Sequence, residues 1–249
     1  MIHLTAVPTR ALLAPFAGAT IVAALLVLPS TSAGQQADSA ALVTRLGNDT
    51  IAVERWVRTP ALMEVEVVLR SPRTTRGRYS FEMNDDGSLS HYEGSVWEGG
   101  VAEGSPVRRT VVESDGRKLA YSISHEGEEP RTGVLDLDPW ALPFIDMIHW
   151  PFELMLIRAR ASGEASLSPQ VFSGEEGFSL EVEQGGGGVI HVTHPTLGTM
   201  DVTVDDQGRM TALSAARETL RLEVTREPWL DIEAYAADFV ARDAAGGDR

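Results

Sequence analysis

Cysteine is absent from all 249 residues. Without a thiol the chain forms no disulfide, attaches no c-type haem and cannot be acylated as bacterial lipoproteins are. An exported form is then held by its core alone, which suits a bacterial periplasm or cell exterior better than a eukaryotic secretory route. Asn48-Asp49-Thr50 is accordingly not read as a glycosylation site. Positive charge is scarce too: 21 Lys and Arg face 36 Asp and Glu, a net charge of −15. Such a surface repels nucleic acid and anionic lipid headgroups, so no nucleic-acid partner is expected. Nucleophile motifs are also missing. No Gly-x-Ser-x-Gly, Ser-x-x-Lys, Walker loop or His-Glu-x-x-His occurs, and "EGSVWEGG" from Glu93 to Gly100 only imitates the first. No catalytic residue, metal or cofactor is assigned, and a non-enzymatic role is expected.

The N-terminal segment carries an export pattern. Met1 to Arg10 holds one Arg and no acid, Ala11 to Leu28 is apolar, and "PSTSAG" places Thr31 and Ala33 as small residues before Gly34. This predicts a signal peptide over 1–33, cleaved near Gly34, and a periplasmic or secreted protein. An uncleaved anchor is the alternative, since the run approaches the ~20 residues that span a bilayer; Pro15 and Gly18 weaken it. Without 1–33 the net charge is −16, and the remaining chain is not expected to span a membrane.

Beyond the signal the pattern is period 2. Met63, Val65 and Val67 share a face, as do Tyr79, Phe81 and Met83, and Leu220, Leu222 and Val224. Strands with one wet face build antiparallel sheets. Turn residues at Gly47-Asn48-Asp49, Asn84 to Gly87, Ser114-Asp115-Gly116 and Asp205 to Gly208 predict hairpins between consecutive strands. The candidate strands fall near 41–46, 50–58, 62–70, 75–84, 88–97, 106–114, 117–125, 131–137, 177–183, 188–194, 199–205, 209–216 and 218–226. A sheet of that size must curl, split or close. The expected fold is mainly β with minor α: a large curved antiparallel meander or open barrel, forming one domain over 34–243 with a tail at 244–249. A faint echo links the hairpin from Ser71 with the one from His194, both running Pro, loop, strand, Asp-Asp-x-Gly, strand; shared hairpin grammar explains it as well as duplication does.

Two helical stretches interrupt the strands. Asp138-Pro139 resembles a helix start, and the run "DPWALPFIDMIHWPFELMLIRARA" from Asp138 to Ala161 is apolar nearly all round, with Pro151 expected to divide it into two short helices. An all-apolar helix must be buried, which predicts a plug inside the concave sheet. Ile232, Tyr235, Ala236, Phe239 and Val240 predict a C-terminal amphipathic helix on the sheet.

The opening "ALVTRLGNDTIAVERW", the central "DPWALPFIDMI" and the closing "DDQGRMTAL" resemble a group of uncharacterised exported bacterial proteins. Their element order is similar to that of periplasmic lipoprotein carriers, whose bent sheet wraps helices and holds acyl chains. The resemblance implies a hydrophobic, acyl-chain-like ligand between sheet and central helices, with Trp140, Phe144, Met147, Ile148, Trp150, Phe152 and Met155 as its contacts. The rival reading is a filled core, leaving a structural or docking protein with an envelope partner. An outer-membrane barrel fits less well, given the short strands and two helices.

The polar clusters carry less. Asp146, His149 and Glu153 would share a face of an unbroken helix, but Pro151 interrupts it, and a polar stripe meeting solvent is expected instead. His191 and His194 point to opposite faces of one strand, and His91 and His125 are isolated. Gly185 to Gly188 lies between strands and lacks the helix of a dinucleotide site. Arg55, Arg58, Arg70, Arg73, Arg76 and Arg78 form a basic stretch, expected as a wet strand face that an acidic partner could meet.

Overall fold

A computed structural model describes residues 37–246. The expected signal peptide, 1–33, lies outside the described residues. The first half lays down β1 (Asp38–Leu46), β2 (Asp49–Arg58), β3 (Leu62–Arg70), β4 (Thr74–Met83), β5 (Leu89–Glu98), β6 (Arg108–Ser114), β7 (Leu119–His125) and β8 (Arg131–Leu135). The middle holds β9 (Leu142–Pro143), helix α1 (Trp150–Ser162), β10 (Ser166–Leu167), β11 (Gln170–Ser173), β12 (Glu176–Ser179) and β13 (Glu181–Gln184). The chain continues through β14 (Val189–His194), β15 (Gly198–Val204), β16 (Met210–Arg217) and β17 (Leu220–Glu227) to helix α2 (Ile232–Gly246).

Fourteen strands form one antiparallel sheet, in the order β10-β13-β14-β15-β16-β17-β1-β2-β3-β4-β5-β6-β7-β8. The four expected hairpins all form, with Gly47, Gly87, Gly116 and Gly208 at positive φ in their turns. Pairing follows chain order except at the centre, where β1 takes β17 on one side and β2 on the other, and at one edge, where β10 pairs with β13. Each strand adds roughly 20–25° of twist, so fourteen in a row must curl. Inward side chains from β13 to β17 and from β1 to β8 accordingly meet α1 in one apolar cluster. The sheet stays open, with β10 and β8 as its edges. The hairpins that echo each other in sequence, β4–β5 and β15–β16, both shift register just before the turn, at Glu82/Met83 and Thr203/Val204.

The central segment differs from the expectation. Residues 138–149 are not helical, and a single helix begins at Trp150 with Pro151 in its first turn. Asp138 accepts the Trp140 N–H at 2.8 Å and its carbonyl accepts from Ala141 at 2.9 Å, so the apparent cap closes a turn instead. Pro143 would break a helix there, and Leu142–Pro143 pairs parallel to Val171–Phe172 in a small second sheet, β12-β11-β9. Pro151 starts the helix because the first turn needs no donor from it. The run 177–183 also divides: β12 joins the small sheet and β13 the large one.

Helix α2 covers the convex face. Ile232, Ala236 and Phe239 are buried on Ala41, Val43, Val53 and Val68, as expected, while Val240 stays 42% exposed. The helix runs to Gly246, three residues into the stretch read as a tail. Arg76, nearly buried, grips Glu233 with both Nη atoms at 3.1 and 2.7 Å, and Asp243 accepts the Thr74 N–H at 2.6 Å. Much of the basic stretch is thus neutralised within the chain: Arg55 and Arg78 pair with Glu66, Arg58 with Asp38, and Arg70 with Asp49. Among the described residues no helix is long and apolar enough to cross a membrane.

The convex packing predicts that Phe239→Ala costs about 3–5 kcal/mol. Urea unfolding should show a lowered midpoint with one cooperative transition; two transitions would mean that α2 unfolds on its own.

Candidate functional site

Helix α1 rests on β17, β1 and β2, the three strands at the centre of the sheet, and each contributes a polar contact. Glu54 of β2 is fully buried, two residues from Ala52 and from Trp56 on the same inward face. Its carboxylate accepts the His149 N–H at 2.8 and 3.0 Å and the Trp150 N–H at 2.8 Å. His149, the residue before the helix, offers no side-chain cap of its own. Pro151 has no N–H, and the Phe152 N–H reaches the His149 carbonyl at 3.0 Å. The free donors of the helix start are therefore all met, with a negative charge at the positive end of the helix dipole.

The His149 ring adds to this clamp. Its Nδ1 lies 3.2 Å from Thr44 Oγ1 of β1 and 3.4 Å from Glu54 Oε1. One turn on, Glu153 is buried against Arg226 of β17, whose guanidinium sits 5.1 Å from the Trp56 ring centroid and donates to the Met210 carbonyl at 3.3 Å. The expected solvent-facing stripe is corrected here: His149 and Glu153 point into the core, and Asp146 alone of the three is exposed, ahead of the helix. Burial pushes the Glu153 carboxyl up to about 7, despite the opposing pull of Arg226. Among the described residues no group of three or more His, Asp or Glu is placed to hold a metal ion. His191 meets Asp201 at 2.8 Å on the exposed face, while His194 is buried against Phe144 and Phe178, with ring centroids 4.6 and 4.8 Å away.

The seven hydrophobic residues singled out in the sequence separate into groups. Trp150, Ile148 and Phe152 are buried in the core, where Trp150 meets Tyr79 and Phe81 at 6.1 and 6.4 Å. Phe144 and Met147 are half-buried and packed against that core, Met147 at φ 63°. Trp140 and Met155 line an open cleft of 830 Å³ with Leu142, Ile157, Ala161 and Leu167. Met155 is buried in its wall, whereas Trp140 is 43% exposed. Arg158 ties the cleft together by donating to the Trp140 carbonyl and, at 2.7 Å, to the Gly87 carbonyl; its guanidinium lies 5.4 Å from the Trp140 ring. Burial lowers the Arg158 pKa to about 10, with Asp138 and Asp86 pulling the other way. A second cavity of 330 Å³ lies elsewhere on the concave side, beside Tyr79, Tyr92 and Phe144. Sequence reasoning passed over Glu54 and Arg226; the available signal was a charge at an inward position between apolar neighbours.

Glu54→Ala leaves two buried N–H groups unmet and should cost about 3 kcal/mol or more, measured by urea unfolding. For Glu153 the sign follows from its raised pKa. Between pH 4.5 and about 7 the folded protein holds a proton that the unfolded chain has released, so stability should fall as pH rises through that window. The upper bound is roughly 3 kcal/mol, at about 1.4 kcal/mol per unit. Glu153→Gln should flatten that part of a plot of urea midpoint against pH.

No family model matches the chain. Among solved structures, a DUF1089-family protein from Pseudomonas aeruginosa is similar at 15% identity and a TM-score of 0.47, over 66% of this chain and 90% of that one. A β-barrel-like protein of the domain of unknown function DUF1849 from Brucella abortus is similar at 8% identity and a TM-score of 0.48, over 78% of this chain and 97% of that one.

Proposed function

We propose that this is an exported, non-enzymatic protein that holds a hydrophobic, acyl-chain-like ligand in the cleft between α1 and the segments carrying Trp140 and Leu167. The observation that carries this reading is the cleft itself: 830 Å³ of open space with a mainly apolar lining. Its volume falls within the roughly 300–1,000 Å³ of small-molecule sites. Such surface is costly to leave against water, and no side chain fills it. Asp86, Asp138 and Arg158 at the rim confine the apolar contact to the interior and leave a polar headgroup in solvent. Trp140 and Met155 are the direct contacts in this reading. Ile148, Trp150 and Phe152 form the rigid wall behind them.

The test uses the full chain, exported, purified from the periplasm without detergent and weighed by native mass spectrometry, followed by organic extraction. The expected result is a chain shortened by 1–33 that carries a stoichiometric acyl-bearing adduct. Trp140→Ala should weaken a fluorescent long-chain acyl probe about tenfold, a loss of about 1.4 kcal/mol, with little change in urea midpoint because the indole is half exposed. A bare mass with no uptake of fatty acid or phospholipid would sink this reading and favour a filled-core protein that docks on an envelope partner.

A further inference from the structure

The second concave cavity, 330 Å³, shares no lining residue with the acyl cleft. It lies between the inner face of β4, β5 and β6 and the Pro143 to Asp146 segment. Strand register places its groups. Tyr79 sits opposite Gly94, which sits opposite Thr110; Gly77 sits opposite Val96, which sits opposite Arg108. Both tyrosines lie flat over glycine. A Cβ added at Gly77 would stand 2.8 Å from the Tyr79 Oη, and one at Gly94 would stand 2.7 Å from the Tyr92 Oη. Tyr79 thus leans toward the start of β4 and Tyr92 toward the end of β5. In an antiparallel pair these are the same end, the end of Arg108.

The two hydroxyls have work left to do. Tyr79 is 8% exposed and Tyr92 4%, and their hydroxyls, which make no hydrogen bond among the described residues, open to the cavity and are not sealed in the core. Burial raises both phenol pKa values well above the ordinary one, so each stays a neutral donor at physiological pH. Thr110, also buried, adds a third hydroxyl. At the mouth stands the exposed Arg108. Its neighbour Arg109 holds Glu93 at 2.7 Å and Arg131 holds Glu175 at 2.5 Å, but no carboxylate lies within 4 Å of Arg108 among the described residues. Phe144 and Phe172 supply an apolar wall, and Asp146 is the acid on the lining.

We propose that this cavity binds a small organic carboxylate with an apolar body: Arg108 and the Tyr79 and Tyr92 hydroxyls receive the carboxylate, and Phe144 and Phe172 pack the body. The planar guanidinium matches two carboxylate oxygens, and phenol donors complete their remaining lone pairs. Asp146 sets a limit on charge. One negative charge is balanced by Arg108, whereas a dianion such as phosphate meets a carboxylate with no second cation.

The test titrates the exported protein with 3-phenylpropanoate by calorimetry and ligand-observed NMR, with 3-phenylpropanamide and inorganic phosphate as controls. The expected result is saturable binding of the carboxylate alone. Arg108→Gln should weaken it about tenfold and Tyr92→Phe about fivefold, both with the urea midpoint unchanged, because neither group has a partner in the protein to lose. Asp146→Asn should tighten it, and Trp140→Ala should leave it unchanged, so failure here is separable from failure of the acyl-cleft reading. The proposal is overturned by absence of saturable carboxylate binding, by equal binding of the amide or of phosphate, by an Arg108→Gln variant that binds as before, or by a Tyr92→Phe variant that loses stability without losing affinity.

Discussion

A helix lying inside a curved sheet brings its first backbone donors into a place without water, and here a single buried carboxylate meets them. Glu54 reaches from β2 to the N–H groups of His149 and Trp150, and Pro151 removes the donor that it could not have reached. The cost of burying the charge is offset by those bonds and by the dipole they terminate. Thr44 on β1 and Arg226 on β17 complete the seat from the two neighbouring strands. The polar contacts therefore fall where the N-terminal and C-terminal meanders join, and they hold the helix to both at once. An all-apolar helix in an all-apolar bowl would have many near-equal positions; three directional contacts leave one.

From that position the cavities follow. Helix α1 presents Trp150, Phe152 and Leu154 to a packed core, while its later turns, with Ile157 and Ala161, run out beside a segment that cannot be helical. That segment contributes two residues, Leu142 and Pro143, to a small sheet. Leu142 faces the apolar cleft and Pro143 the tyrosine-lined cavity. A short strand ending in proline thus separates a mainly apolar space from one of mixed lining. The convex face is closed independently by α2, through Phe239 and the Arg76–Glu233 pair.

Most strands were legible because each has one wet face, so burial and periodicity report the same thing. Met63, Val65 and Val67 are buried as their spacing requires, and the four turns carry the glycine their backbone needs. The central segment was legible in composition but not in conformation. Asp138 followed by Pro139 caps a helix and closes a turn with equal ease, and only the pairing of Leu142–Pro143 with β11 decides for the turn. The run from Gly177 to Glu183 alternates like one strand, yet it changes sheets at Leu180, because its first half pairs back on Gln170–Ser173 and its second half forward on Val189–His194.

By itself the sequence determined an antiparallel meander, its hairpins, an amphipathic closing helix and a buried apolar centre, because these depend on residues a few positions apart. Tertiary structure alone decided that β17 lies beside β1, that Glu54 and Arg226 face His149 and Glu153, and which apolar residues fill space and which border it. Those pairings join groups as much as 186 residues apart, as Ala41 and Glu227 are. Local pattern selects a strand's face, but the partner across the core is set by how fourteen strands curl, and curvature belongs to the assembled sheet.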